Sequence, residues 1–340
     1  MPLLVTGVAG FIGSHFVDYY LQKHPNEIIV GLDKLTYASS MDKIHMMEQK
    51  FKDNFTFVKG DISNFELVNF IFEKYQINGV INFAAETHVD RSIEASLVFL
   101  QSNVLGTNVL LEVARANWLE NHRWRENTKF LQISTDEVYG SLEDKAGLFS
   151  ETTPMDPRSP YSASKASADL LVNSFFETYG MPVLISRCSN NYGSHQFPEK
   201  LIPKIIKNAL NLEQIPVYGD GMQMRDWIYV KDHCAALELI FHSDKFGNVY
   251  NVGSSNEWHN IDIVKLILDK VKNKMNNPKI NEDLISFVTD RLGHDRRYAI
   301  DSSKIQSDLG WNPKMKFEDG IDQTIDWYIE LYKSNSTIEN

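Results

Sequence analysis

The strongest constraint on what this chain can fold into is a single turn. The apolar run Leu3-Leu4-Val5-Thr6 passes directly into Gly7-Val8-Ala9-Gly10-Phe11-Ile12-Gly13, where a helical pattern begins. Glycines at that spacing allow a tight strand-to-helix turn, close approach of the backbone to a bound group, and close packing of helix on strand. The amides at the helix N-terminus then face negative charge, so a pyrophosphate is the expected occupant. The pattern Gly-x-x-Gly-x-x-Gly is one residue looser than the common dinucleotide fingerprint, and taken alone it describes only a tight turn.

The strands and helices beyond the turn give it meaning. Apolar strand patterns at residues 3–6, 28–32, 55–59, 80–83, 129–134 and 183–187 alternate with helical patterns at 11–23, 41–51, 65–75, 95–116 and 161–179. Such alternation implies βαβ units and a buried parallel sheet with helices on both faces. Six strands match two mononucleotide-binding halves. The expected fold is α/β: a Rossmann-type doubly wound parallel sheet with a smaller mixed α/β substrate-binding lobe. Past residue 190 the alternation stops. Pro198, Pro203, Pro216, Gly219 and Gly221 mark a loop-rich stretch, followed by a strand at 248–252 and a helix at 261–274. Residues 1–189 are assigned to the NAD-binding Rossmann domain, with segments near 226–254 returning to it. Residues 190–225 and 255–340 are assigned mainly to the substrate lobe.

Composition removes several classes. With 340 residues the chain can enclose one large domain or two lobes around a cleft. Its net charge of −11 repels a phosphate backbone, which disfavours nucleic acid but leaves room for a nucleotide held by a few local arginines. No run approaches about 18 consecutive apolar residues, so no membrane span is expected. The first residues lack the basic start and cleavage site of a secretory signal. Cys188 and Cys234 fit a reducing compartment without a disulfide framework, so the expected location is the cytoplasm.

The second strand ends at Asp33, twenty residues after Gly13. A carboxylate there can accept hydrogen bonds from an adenosine ribose and repels a 2′-phosphate, which selects NAD over NADP, although Lys34 beside it weakens that inference. Asp61-Ile62 suits an adenine-edge contact or a helix cap. Phe83-Ala84-Ala85 ends the fourth strand with small residues that let a cofactor lie against the backbone. Lys34, Leu35 and Thr36 beside Asp33, together with Thr87 and Ser102, complete the expected cofactor set.

Tyr161-Ser162-Ala163-Ser164-Lys165 opens a helix behind Pro160. Positions four apart share a helix face, so an ammonium at Lys165 can favour the Tyr161 phenolate and make it a base for a sugar hydroxyl. Tyr-x-x-x-Lys by itself is a frequent surface pattern; behind a dinucleotide turn it reads as catalytic. The fifth strand ends in Thr135-Asp136-Glu137, at the carboxyl edge where open parallel sheets bind ligands. The same residues could merely cap the next turn. Adjacent carboxyls in different surroundings can also divide into one acid and one base, the division that elimination of water needs.

Several strings resemble one family closely. The turn at 7–13, Phe83-Ala84-Ala85-Glu86-Thr87-His88-Val89-Asp90-Arg91-Ser92, the stretches 134–140 and 161–165, and Arg187-Cys188-Ser189-Asn190-Asn191-Tyr192-Gly193 are similar to the dTDP-glucose 4,6-dehydratases of the extended short-chain dehydrogenase/reductase family. The likeness continues through Gln196-Phe197-Pro198-Glu199-Lys200-Leu201-Ile202-Pro203, Arg225-Asp226-Trp227 and residues 290–298, and covers nearly the whole chain. It implies that Tyr161, helped by Lys165 and Thr135, takes the C4 hydroxyl proton as hydride passes to NAD. Glu137 then removes the C5 proton, Asp136 protonates the departing C6 hydroxyl, and the hydride returns to C6. It also implies a homodimer formed through the helices at 95–116 and 161–179.

Arginine forks fit diphosphate oxygens, so Arg225 and Arg291 are read as substrate anchors; an exposed loop of internal Asp–Arg pairs is the other reading. The resemblance adds Asn190, Lys200, Leu201, Pro216, Val217, Tyr218, Asn260, His294 and Tyr298 near the substrate, with Thr87 and Thr135 near the sugar. The chain departs from the family pattern at Leu292, where proline is usual, and at Ser194-His195, where Gly-Pro is usual. The first departure could loosen the phosphate loop and the second alter the nucleotide pocket. His88 and His294 have no partner ligands at a suitable spacing, so no metal site is expected. The competing functions are the same chemistry on UDP-glucose or another nucleotide-glucose, a nucleotide-sugar 4-epimerase, and a non-catalytic dinucleotide sensor. An epimerase does not need the Asp136-Glu137 pair, and a sensor has no use for that pair together with Tyr161 and Lys165.

Overall fold

In strand β1 (Pro2–Thr6) Leu3 and Val5 enter one hydrophobic cluster and Leu4 enters another, the period of two that a strand covered on both faces requires. All three are fully buried, and each such side chain contributes about 2 kcal/mol of burial energy. The computed structural model describes residues 2–143 and 147–338, the last four as backbone only. Its central sheet is built from β1, β2 (Ile28–Asp33), β3 (Phe55–Lys59), β4 (Gly79–Asn82), β5 (Lys129–Thr135), β6 (Val183–Cys188) and β7 (Val249–Val252). The seven strands lie in the order β3-β2-β1-β4-β5-β6-β7, and every neighbouring pair is parallel.

Helices cover both faces. On one side α1 (Phe11–Lys23), α2 (Met41–Lys50) and a later helix at Val230–His242 contribute Phe16, Tyr20, Met47, Leu237 and Phe241. On the other, α3 (Phe65–Tyr75), α4 (Gly106–Trp118) and α5 (Pro160–Tyr179) contribute Phe72, Leu110, Trp118, Val172 and Phe175. The chain runs outward from β1 to β3 and then returns to begin β4 beside β1. That reversal opens a crevice at the carboxyl ends of β1 and β4, the place where doubly wound sheets bind ligands. Beneath it lies a polar rung: Thr6 Oγ1 donates to Asn82 Oδ1 at 2.6 Å, and Asn82 Nδ2 donates to Gln132 at 2.8 Å.

A third cluster forms the core of the smaller lobe. Ile202, Ile205 and Ile206 on α6 (Leu201–Asn211) pack with Ile263 and Ile267 on α8 (Asn260–Met275) and Ile321 and Ile325 on α9 (Phe317–Ile338). The helix at Val230–His242, numbered α7 between them, belongs to the sheet. Short strands edge the lobe: Ile215–Tyr218 pairs with Ile285–Val288, and Met224–Tyr229 with Glu257–His259 and Arg297–Tyr298.

The region past residue 190 is therefore more regular than its prolines imply. Pro203 sits in the first turn of α6, where the missing amide has no helical partner to lose. The strand expected at 248–252 proves to be the seventh strand of the sheet. The helix expected as one piece over 95–116 contains a π turn at Leu100–Leu105, which shifts its register before α4. Ser96–Trp118 is, among the described residues, the one helical stretch long and apolar enough to cross a membrane, although no uninterrupted apolar run is present. Half of its most apolar 18-residue window is buried in the protein, and Asn103 is pinned by hydrogen bonds to the backbone of Glu86 and to Ser164 Oγ.

Candidate active site

The glycine turn is a cradle without room for side chains. Gly7 has φ +70°, and a Cβ there would lie 2.8 Å from the Ala84 amide nitrogen. A Cβ on Gly13 would come within 2.3 Å of the Gly7 carbonyl oxygen. Gly10 caps α1 and no side chain closes its first turn, so the leading amides remain free for an anion. From this cradle a cleft of about 510 Å³ runs along the carboxyl ends of the strands.

The expected cofactor residues Gly7, Gly10, Phe11, Ile12, Gly13, Asp33, Lys34, Thr36, Asp61, Ile62, Phe83, Ala84, Ala85, Thr87, Ser102, Tyr161 and Lys165 all line that cleft. Leu35 does not: its backbone is left-handed (φ 60°) and its side chain packs on the α1 face of the core. Asp33 accepts from Ala9 N at 2.9 Å through one oxygen, and from Leu35 N at 2.8 Å and Ser39 Oγ at 3.0 Å through the other. It thus ties the glycine loop to the end of β2, and its remaining lone-pair capacity is what a ribose hydroxyl would use. Lys34, which left the choice of NAD over NADP open, pairs with Asp61 at 2.7 Å. Burial pushes the Asp61 carboxyl up, but Lys34 and two hydrogen bonds from Ser63 outweigh it and hold the group below its ordinary value. A dinucleotide fits these residues: the cradle excludes Cβ atoms, a carboxylate closes the ribose end, and Lys34 is already engaged.

At the other end of the cleft the five expected catalytic residues converge. Thr135 ends β5, and Asp136 and Glu137 open a single 3-10 turn, Asp136–Tyr139, in which Thr135 Oγ1 accepts from the Glu137 amide at 3.3 Å. The two carboxyls meet different surroundings. Asp136 is buried, its Oδ2 has no hydrogen-bond partner, and burial together with the nearby charges of Glu137 and Asp226 pushes its pKa well above the ordinary value. Glu137 is also pushed up by burial, but Arg291, Arg225 and Lys200 all act to keep it ionised.

Tyr161 follows a helix start reinforced by a Ser159–Ser162 capping box and Pro160. The Lys165 ammonium does not sit on the Tyr161 phenol as helix spacing implies. It donates instead to the Ile133 carbonyl within β5 at 2.6 Å. Burial and the Glu137 charge push the Tyr161 pKa well above 10, and Thr135 acts in the opposite direction. Burial lowers the Lys165 pKa, and Asp169, one helical turn on, opposes that shift. Asp169 is fixed by Arg187 at 2.9 Å and Ser134 at 3.0 Å, a buried support that sequence spacing did not reveal.

The residues expected to meet substrate come from both the sheet side and the smaller lobe. Asn190, Lys200, Thr87 and Thr135 line the cleft, and Lys200 Nζ donates to the Thr87 carbonyl at 3.1 Å. Arg225 is buried, bonded to the carbonyls of Met224 and Asp295 and stacked on the Tyr298 ring at 4.1 Å; Tyr298 in turn bonds Asp295. Arg291 and Tyr218 stand outside the residues that line the cleft: Arg291 lies 3.7 Å from Asp90, and Tyr218 donates to the same carboxylate at 3.3 Å. His294 bonds Asp290 at 2.6 Å, and burial with the Arg291 charge lowers its pKa to about 4. Asn260 begins α8 with a buried, unpartnered side-chain oxygen. Three expected residues stand differently: Val217 is buried in the lobe core, Leu201 packs against that core, and Pro216 precedes Val217 on its strand. Ser194 and His195 lie against α1 and α9 rather than lining the cleft, with Ser194 Oγ 3.3 Å from His15 and the His195 ring 4.3 Å from Trp327. Leu292 is 77% exposed.

The chain matches the family model described as GDP-mannose 4,6 dehydratase over residues 4–324. It is 50% identical over 331 residues to a dTDP-glucose 4,6-dehydratase of Xanthomonas campestris, covering 96% of this chain and 92% of that one. The fold superposes on the crystal structure of dTDP-glucose 4,6-dehydratase from Bacillus anthracis in complex with NAD with a TM-score of 0.86, at 41% identity and 98% coverage of both chains. It superposes on the Streptomyces venezuelae dTDP-glucose 4,6-dehydratase DesIV, solved with NAD and TYD bound, with a TM-score of 0.87, at 38% identity and 97% coverage of both.

Proposed function

This chain belongs to the dTDP-glucose 4,6-dehydratase family, and from that premise we propose how its own residues convert dTDP-glucose to dTDP-4-keto-6-deoxyglucose and water. The observation that carries the assignment of roles is the contrast within Asp136–Glu137: burial and two neighbouring carboxylates push the Asp136 carboxyl well above its ordinary value and leave its Oδ2 unpartnered, whereas Arg291, Arg225 and Lys200 oppose the upward shift that burial gives Glu137. NAD, when bound, supplies the acceptor that takes a hydride from C4 and gives it back at C6. Tyr161 accepts the C4 hydroxyl proton, with the Thr135 hydroxyl beside it and Lys165 as the cation one helical turn away. The C4 ketone acidifies the C5 hydrogen, and Glu137 removes it. Asp136 donates its proton to the C6 oxygen, which leaves as water, and Glu137 then returns a proton to C5. Arg225 and Arg291 hold the diphosphate, and Arg291 exchanges Asp90 for it.

A 4-epimerase needs Tyr161 and Lys165 but no buried proton donor beside Glu137. The discriminating variant is Glu137→Gln. It should bind cofactor and sugar nucleotide normally and still oxidise C4 in a single turnover, seen as reduced-nicotinamide absorbance, while steady-state product falls by about 10³-fold. Full turnover by this variant would overturn the role of Glu137.

The same reading extends to assembly and location. Leu97 and Leu100 on the 96–118 stretch and Leu170 on α5 are exposed on adjacent helices, apolar surface that a second copy of the chain would cover as a homodimer. Two buried free cysteines and a dependence on NAD fit the cytoplasm.

A further inference from the structure

Helices α1 and α7 pack together on one face of the sheet and end side by side, far from the cleft. The C-cap of α1 is His24, and the last residue of α7 is His242. The 13 residues of α1 separate His24 from the glycine cradle by about 20 Å. Glu238 and His242 are four residues apart on α7 and so share a face. His24 Nε2 lies 3.0 Å from Glu238 Oε1, the two imidazole rings are 5.0 Å apart, and one ligand atom from each of the three residues falls within 4.8 Å of the others.

We propose that His24, Glu238 and His242 form a surface site for a divalent transition-metal ion of the zinc class, with its open positions filled by water. Two imidazoles and one carboxylate suit Zn²⁺, Ni²⁺ or Cu²⁺ rather than Mg²⁺ or Ca²⁺. The surroundings are ordered for the task. Glu238 is buried, and Lys23 holds its Oε2 at 2.7 Å, which orients Oε1 toward the histidines. Tyr20 OH lies 3.1 Å from His242 Nε2 and orients the second ring. Two helix C-termini meet here, and their partial negative charges favour a cation, offsetting the ammonium of Lys23. Ligand atoms of a tetrahedral zinc site stand about 3.3 Å apart, a contraction that rotation of the partly exposed His24 and exposed His242 side chains can supply. The ion would clasp the end of α1 to the end of α7, stabilising the folded chain without touching the reaction.

The test uses the full-length protein, stripped with a chelator and titrated with zinc chloride by calorimetry. One ion should bind per chain with a Kd below about 10 μM, and zinc should raise the unfolding temperature. His24→Ala and His242→Ala should each weaken binding at least about tenfold and leave dehydratase turnover unchanged. Unchanged stoichiometry and affinity in the His24→Ala/His242→Ala double variant would place the ion elsewhere and overturn the proposal. So would an absence of saturable binding to the unsubstituted chain at zinc concentrations up to about 100 μM.

Discussion

The two walls of the cleft are made in different ways. The cofactor wall is backbone: a glycine turn in which added Cβ atoms would strike main-chain atoms, held to β2 by a carboxylate that accepts from two amides and a hydroxyl. The wall proposed to hold substrate depends on side chains: Lys200 lines the cleft, Arg225 and Arg291 come from distant stretches of the smaller lobe to act on Glu137, and Arg291 is paired with Asp90. A backbone site tolerates almost no change and has one shape. A side-chain site can be lost piece by piece, each piece costing one interaction. The comparison teaches that cofactor retention should behave as all-or-none and substrate binding as graded.

The largest effect should come from Gly13→Ala, whose Cβ would meet the Gly7 carbonyl at 2.3 Å. NAD content of the purified variant, measured after denaturation, should fall below about a tenth of normal while circular dichroism stays unchanged. Retention of the full complement would break the comparison on its rigid side. Arg291→Ala should lower kcat/KM about 100-fold, or about 2.7 kcal/mol, chiefly through KM and with NAD content intact. If kcat alone collapsed, Arg291 would belong to the chemistry instead of the anchor. Asp136→Asn should abolish turnover yet stabilise the fold. The folded Asp136 carboxyl is raised above its unfolded value near 3.8, so the unfolded chain ionises first and stability falls as pH rises between the two values. The variant escapes that loss, which is worth about 1.4 kcal/mol for each tenfold change in proton affinity. Its advantage in denaturant titrations should be absent below pH 3.8 and grow as pH rises above that value. An advantage that did not vary with pH would show that Asp136 is ionised in the folded chain. The smallest effect belongs to Lys34→Ala, which breaks a largely exposed ion pair with Asp61 and should change NAD affinity by less than about threefold.

The same contrast explains how much of the molecule was legible in its sequence. Helix α1 begins at Phe11, where the glycine spacing placed it, because the turn, the strand before it and the helix after it are contiguous. The register of 65–75 was equally plain, since its apolar residues repeat at helical spacing and Asn64 caps its first turn. Prolines misled: Pro203 reads as a breaker, yet in a first turn it costs a helix nothing. The π turn at Leu100–Leu105 was invisible because one extra residue in a helical pattern leaves the hydrophobic rhythm nearly intact. The Lys165–Ile133 contact was hidden because helix spacing states which face a side chain occupies, not how far it reaches. Arg225 and Arg291 were read as anchors from the fit of a guanidinium to a diphosphate and Lys200 from family likeness alone, and nothing local says that residues so far apart act together on Glu137. The His24–Glu238–His242 group shows the same blindness in its purest form: His24 and Glu238 are 214 residues apart in sequence and adjacent only once α1 and α7 have packed.

The position of β7 has a consequence for how the protein can be made. The chain completes Val183–Cys188, travels out to build part of the second core, and only then supplies Val249–Val252 to close the sheet edge. During synthesis the sixth strand therefore waits with an unpaired edge for some sixty residues of translation, a template for wrong partners until the seventh emerges. A gene cut anywhere between residues 189 and 248 yields a product with that edge bare. Engineers wishing to exchange the region that grips the sugar nucleotide must graft it through at least two junctions, not one.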